Sequence, residues 1–395
     1  PSRSSAASDV YKRQLWLYVA AFTVLLALPL GMLIAKSFTN RGGDWVGISN
    51  YASYLSNPAR YVSLTNSLFV SSLTAIIVTT LAFGFAFALT RTNMPFKSFF
   101  KVIGFAPLLM PSVIKAISLV YFFGNQGVFK FLMFDNTIYG PIGIVMGSVL
   151  WTFPHVLVIL VAAFSLSDAR LYESAQVLKA GRWRIFRTVT LPGAVYGLIS
   201  AVMVAFILVI TDFGVPKVIG GNYNVLSTDI YKEVVGQQNF SMGAVVSVVL
   251  LMPAVAAFLI DRQVKKRQRT AMSSQFVPYA PKNDRWVDLA ALAYCSLIAI
   301  ATLGIVGMAQ YASLVKFWPY NLSLTFDHYQ FNVAGVGWEN FFNSLKLALS
   351  VSAFGTTAAL IGAYIIEKSK TAPYLRTVVG LSLIHISEPT RLTMI

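Results

Sequence analysis

The chain of 395 residues carries 31 lysines and arginines against 15 aspartates and glutamates, a formal net charge of +16, while 56% of its residues are hydrophobic and 12% are charged. A basic balance in a polar protein points to nucleic acid, but a chain this apolar excludes a soluble reader of phosphate backbones and indicates a membrane protein. Cys295, set in an apolar run, is the only cysteine, which excludes an internal disulfide and a cysteine-based metal cluster.

Both ends differ in character from the rest. Ser4 to Gln14 (SSAASDVYKRQ) and Leu381 to Arg391 (LSLIHISEPTR) read, codon by codon, as translations of the two arms of a transposon sequencing adapter. Residues 1–14 and 381–395 are therefore expected to be adapter-derived and are left out of fold reasoning, with 15–380 as the native segment. Within it, apolar runs long enough to cross a hydrocarbon core of ~30 Å, which takes ~20 helical residues, recur with polar gaps. Eight complete runs lie near 15–35, 67–89, 102–123, 141–164, 193–212, 241–260, 288–310 and 345–366, and a ninth begins near Val378. Unpaired backbone is too costly in lipid, and no strand-length alternation recurs, so the spans are expected to be helices and the fold all-α: a polytopic transmembrane helical bundle.

The loops fix an orientation. Those at 91–101, 165–192, 261–287 and 367–377 hold 18 lysines and arginines, against 7 in those at 36–66, 124–140, 213–240 and 311–344. The basic set is expected to be cytoplasmic, so that Leu15 starts a helix running outward. The chain also repeats itself: Asn-Ser-Leu opens a small-residue-rich span at Asn66 and again at Asn343, each followed by a basic loop containing Pro95 or Pro373. This predicts a first six-helix unit at 15–262, a cytoplasmic linker at 263–286 and the beginning of a second unit at 287–380.

The 165–192 loop is too long for a turn. Asp168 can cap a helix with an apolar face of Leu171, Ala175 and Leu178; Gly181 can break it; Trp183, Ile185 and Phe186 continue as a second short helix; and Pro192 suits the first turn of the next span. An amphipathic hairpin with apolar residues left over at the cytoplasmic face is a docking surface. The sequence holds no phosphate-binding G-x-x-x-x-G-K-[ST] loop, no HExxH and no GxSxG, so nothing in it supports a catalytic or metal site. His155, beside Pro154 in an apolar span, and His328, in an outer loop, read as structural.

Two charges stand out. Lys115 lies fourteen residues beyond Lys101, thus ~21 Å along a helix, where an ammonium either faces a cavity or partner, suiting an anionic substrate, or snorkels to the outer surface. Asp212, in the stretch Thr-Asp-Phe-Gly-Val-Pro, either pairs with Lys115, lines the path or simply ends a helix, and Gly214 and Pro216 interrupt a helix near a pore entrance.

The hairpin carries a pattern of Glu-Ala-Ala, three residues, Gly, nine residues, Ile, any residue, Leu-Pro. Glu173, Ala175, Leu191 and Pro192 match it in register, while Ser174, Val189 and Lys179 depart from it, Lys179 standing at the glycine with Gly181 two residues later. In this the chain resembles the permeases of binding-protein-dependent ATP-binding-cassette importers. That resemblance implies the type I importer permease fold and a multi-pass place in a bacterial inner membrane, among lipid. The 165–192 loop would be the coupling helix that sits in a cleft of an ATPase, with Glu173, Ser174, Ala175, Lys179, Gly181, Leu191 and Pro192 as its coupling residues. ATP and Mg would be held by separate ATPase subunits, a solute-binding protein would deliver substrate from outside, and nucleic acid has no role. The stretches FAPLLMPSVIKAISLVYFFGNQG, VITDFGVPKVIGGNYNVLSTDIY and VKFWPYNLSLTFDHY are most similar to permeases for 2-aminoethylphosphonate. Fused ferric-iron permeases, or another anion or polyamine class, are the alternative, and an ion-coupled secondary transporter is the alternative of a different class.

Overall fold

The computed structural model describes residues 20–21, 23–165, 168–271, 277, 279–281, 283–330 and 337–368. The adapter-like ends and the ninth span expected near Val378 lie outside them. Ser37–Leu324 form one compact unit, and the described residues on either side belong to a second.

A π-turn, Thr23–Ala27, leads into α1 (Leu28–Ser37), and α2 (Ser49–Ser56) lies in the loop that follows. The long helix α3 (Pro58–Arg91) stops shortly before Pro95, whose ring disfavours helical backbone in the residue ahead of it. Next come α4 (Lys97–Phe105) and α5 (Ser112–Phe123), which meet at 105°. The expected straight span at 102–123 is thus a bent pair. Pro107 tightens the end of α4 into a 3-10 turn, and Met110, ahead of Pro111, is extended at φ −102°, ψ 131°. Hydropathy runs smoothly through this break because the break is made by backbone, not by polarity.

The chain continues through α6 (Pro141–Ser165), the hairpin helices α7 (Ala169–Val177) and α8 (Arg182–Ile185), and α9 (Leu191–Thr211). A π-turn at Phe186–Thr190 joins α8 to α9, so the hairpin's second arm is the foot of the next span. Two short helices, α10 (Gly214–Ile219) and α11 (Leu226–Tyr231), precede α12 (Phe240–Ala271) and α13 (Arg285–Leu314). Among the described residues six helices are long and apolar enough to cross a membrane: Arg60–Arg91, Pro141–Ser165, Arg182–Thr211, Phe240–Val264, Arg285–Leu314 and Trp338–Gly362. Counting the bent pair makes seven. The run expected at 15–35 is described only from residue 20, and its helix Thr23–Ser37 is shorter than a span.

Helices α3, α6, α9 and α12 pack together, and the core lies between the first three. Ala75, Ala82 and Ala86 face Phe153, Leu157 and Leu160, and Ala194, Ala201 and Ala205 close the third side. Lipid is as apolar as a leucine side chain, so association here rests on close van der Waals packing, which small residues permit. At Gly197 any Cβ would collide with that of Ala163. Cys295 and Ala299 of α13 are buried in the same cluster, while Leu297, Ile300 and Leu303 point outward.

One local feature departs from the all-helical expectation. Val315–Phe317 (β1) and Asn321–Leu324 (β2) form an antiparallel hairpin around the cis peptide Trp318–Pro319. Trp318 Nε1 donates to the Gln126 carbonyl at 3.1 Å, and Gln126 Nε2 donates to Tyr320 Oη at 2.7 Å, which seats the hairpin on the loop after α5. In the second unit, α14 (Trp338–Lys368) starts with a cluster of Trp338, Phe341 and Phe342.

Candidate functional site: an exposed hairpin and a capped helix break

The hairpin is built by its turn residues. Asp168 Oδ1 accepts from the Arg170 backbone N–H at 3.0 Å, as an N-cap does. Helix α7 ends at Val177, and the chain reverses at Lys179, whose φ is +52°. There the Lys179 N–H donates to the Gln176 carbonyl at 2.8 Å and the Ala180 N–H to the Ala175 carbonyl at 3.0 Å. The break expected at Gly181 therefore falls two residues earlier, at the position where the pattern has glycine. Gly181 instead precedes α8 in extended conformation, with open space around it. A left-handed residue with a Cβ is strained by roughly 1 kcal/mol relative to glycine. Lys179→Gly is accordingly expected to raise the melting temperature of the purified permease by about 2–4 °C; an unchanged or lowered midpoint in a thermal scan would show no such strain.

The hairpin turns its apolar residues away from the body of the protein. Val177, Leu178 and Trp183 are 81%, 80% and 72% exposed, and Leu171 is exposed beside them. Glu173 and Ser174 share the exposed surface, with Ser174 Oγ donating to the Arg170 carbonyl at 2.8 Å, and Ala175 is half-buried. Trp183 stacks on Phe186 with centroids 5.5 Å apart, and Leu191 and Pro192 carry the chain into α9.

Two residues of α7, Ala169 and Tyr172, are buried. Tyr172, 4% exposed, donates its hydroxyl proton to Thr190 Oγ1 at 3.1 Å and accepts from Arg91 Nε at 3.2 Å. Arg91, the last residue of α3, also donates through Nη2 to the Phe164 carbonyl at 2.6 Å. Its guanidinium lies over the rings of Phe164 and Tyr172, both at 5.3 Å, and of Tyr279 at 4.8 Å. Burial, with Tyr172 beside it, raises the Tyr279 phenol above its ordinary pKa against the pull of Arg91. By sequence Arg91 is one charge of the basic loop at 91–101, and the signal it offers is that it directly ends an apolar span.

At the helix break Lys115 is 1% exposed and does not snorkel. Its Nζ donates to the carbonyls of Pro107 at 2.7 Å and Met110 at 3.0 Å, and lies 5.0 Å from the centre of the Trp151 ring. The bend frees these carbonyls, and an ammonium at a helix C-terminus also opposes the dipole there. Asp212 forms no ion pair with Lys115 but caps α10: Oδ2 accepts from the Val215 N–H at 3.0 Å, and Oδ1 from the Gly214 N–H at 3.3 Å and Ser112 Oγ at 3.0 Å. Gly214 sits so close to Ser112 and Val113 that a Cβ would clash, and Pro216 is buried in α10. His155 contacts Trp151, and His328 lies in a 3-10 turn. No cluster of three metal-ligating side chains occurs among the described residues.

Residues 80–270, which contain the hairpin and its anchor, match the family described as binding-protein-dependent transport system inner membrane component. Over 160 residues the chain is 31% identical to the molybdenum transport system permease protein of Azotobacter vinelandii, covering 40% of this chain and 71% of that one. The chain belongs to this family. It is a multi-pass inner-membrane protein, and its relatives are transport permeases. It is also 24% identical over 324 residues to the ferric transport system permease protein of Actinobacillus pleuropneumoniae, covering 77% of this chain and 46% of the relative. The chain spans about half the length of the ferric transport permeases it matches. A solved bacterial alginate ABC transporter, in complex with alginate pentasaccharide-bound periplasmic protein, superposes with a TM-score of 0.54 at 16% identity, covering 70% of this chain and 99% of that chain. That likeness is one of fold.

Proposed function

We propose that the chain is a permease subunit of an ATP-binding-cassette importer and has no catalytic site of its own. The observation that carries this is the exposed apolar hairpin, which presents Glu173, Val177 and Leu178 outward within a family-matched region. An ATPase cleft is the partner it fits: the ATPase subunits bind ATP and Mg, and their closure moves the hairpin. A solute-binding protein delivers the substrate at the other face. Taken as one span, the bent pair α4–α5 lies in the membrane beside α3, α6, α9 and α12.

For the substrate, the long stretches similar to 2-aminoethylphosphonate permeases favour that zwitterionic phosphonate. The ferric transport relatives favour iron as the second reading. Lys115 supports neither, because its ammonium is held by two backbone carbonyls. Proteoliposomes holding the full-length permease with its ATPase and binding protein decide between them. Uptake of radiolabelled 2-aminoethylphosphonate, unaffected by excess ferric citrate, is expected; uptake of radioactive iron instead would assign the second.

A further inference from the structure

Four stretches distant in sequence converge on Arg91. It ends α3, binds the Phe164 carbonyl at the end of α6, binds the Tyr172 hydroxyl within α7, and through that hydroxyl reaches Thr190 at the foot of α9. The Tyr172 hydroxyl thus ties the first arm of the hairpin both to Arg91 and to the foot of α9. The fourth stretch is the segment after α12: Tyr279 packs on Tyr172 with centroids 4.3 Å apart and on the Arg91 guanidinium.

The same segment is stitched to the hairpin and to the end of α3 at further points. The Ala169 N–H donates to the Val277 carbonyl at 3.0 Å, and Arg182 forms an ion pair with Asp284. Asn93, two residues beyond Arg91, donates through Nδ2 to the Pro281 carbonyl at 2.9 Å and to Asn283 Oδ1 at 2.6 Å, and its N–H donates to Asp288 Oδ1 at 2.7 Å. Asp288 lies in the first turn of α13. Val277, Tyr279, Pro281, Asn283 and Asp284 therefore act as a strap that ties both arms of the hairpin and the end of α3 to the start of α13.

We infer that Arg91, with Tyr172 and Tyr279, is a positioning site through which movement of the hairpin is passed to α3 and α6 and, by the strap, to α13. This rests on the permease reading above. A planar guanidinium suits the task because its fork can bind two acceptors while its faces stay stacked on rings, which an ammonium cannot do. Without it the hairpin keeps its backbone tethers but loses the side-chain lock that makes hairpin and helices move as one body.

The test uses the full-length permease with its ATPase and binding protein in proteoliposomes, reading ATP hydrolysis with and without the binding protein. For Arg91→Gln the complex is expected to assemble and hydrolyse ATP, while the increment caused by the binding protein falls by about tenfold, within the usual size of site-to-site coupling. Arg91→Lys, which keeps a charge over the rings, is expected to retain an intermediate response. A full wild-type response in Arg91→Gln overturns the proposal. So does failure of both variants to co-purify with the ATPase, since Arg91 would then serve folding alone. If hydrolysis by the wild-type complex itself ignores the binding protein, the importer reading fails, and this inference with it.

Discussion

Glu173→Lys in the full-length permease is expected to abolish uptake while leaving the protein inserted and folded. Glu173 sits on the exposed side of α7, so within the permease the reversal costs no more than a surface helix charge, about 0.5 kcal/mol or less. At a docked interface the same change meets a partner surface built for the opposite sign, which costs ~2–5 kcal/mol, or roughly 30- to several thousand-fold in affinity. Co-purification of the ATPase and solute uptake should be lost together, with the melting midpoint of the permease nearly unchanged. Retention of both would refute a docking role for the hairpin.

Lys115→Met is expected to act on stability first. The methionine keeps the bulk but leaves the Pro107 and Met110 carbonyls without their donor, and a buried acceptor left unpaired costs ~1–3 kcal/mol. The loss of two predicts a fall in melting temperature on the order of 10 °C, with uptake of every substrate falling alongside. A variant with wild-type stability that loses only 2-aminoethylphosphonate uptake would contradict the capping account and show Lys115 acting on the anion.

The spans were legible because a hydrocarbon core imposes a length and a polarity that composition cannot hide. The break in the third was signalled by Pro107 and Pro111, yet the residues around them are as apolar as any span, so hydropathy passed over it. Lys115 shows where such reading ends. The cost of burying its charge is visible from sequence, but its partners are main-chain carbonyls that become available only once the helix bends. Lys179 teaches the reverse. Residue propensity placed the reversal at Gly181, whereas it falls at the motif position, where a lysine in place of glycine takes a left-handed backbone.

The Arg91 cluster was not legible, because Phe164, Tyr172, Thr190 and Tyr279 meet only through tertiary packing. Strands of three and four residues around Trp318–Pro319 give too short an alternation to stand out from a loop.

The source of energy tests the central claim most directly. Proteoliposomes containing the full-length permease, its ATPase and its binding protein should accumulate solute only with hydrolysable ATP. A non-hydrolysable analogue should not replace it, and uptake should continue when ionophores collapse sodium and proton gradients. Accumulation by the permease alone, without any ATPase and in proportion to an imposed ion gradient, would contradict the account and make the protein a secondary transporter.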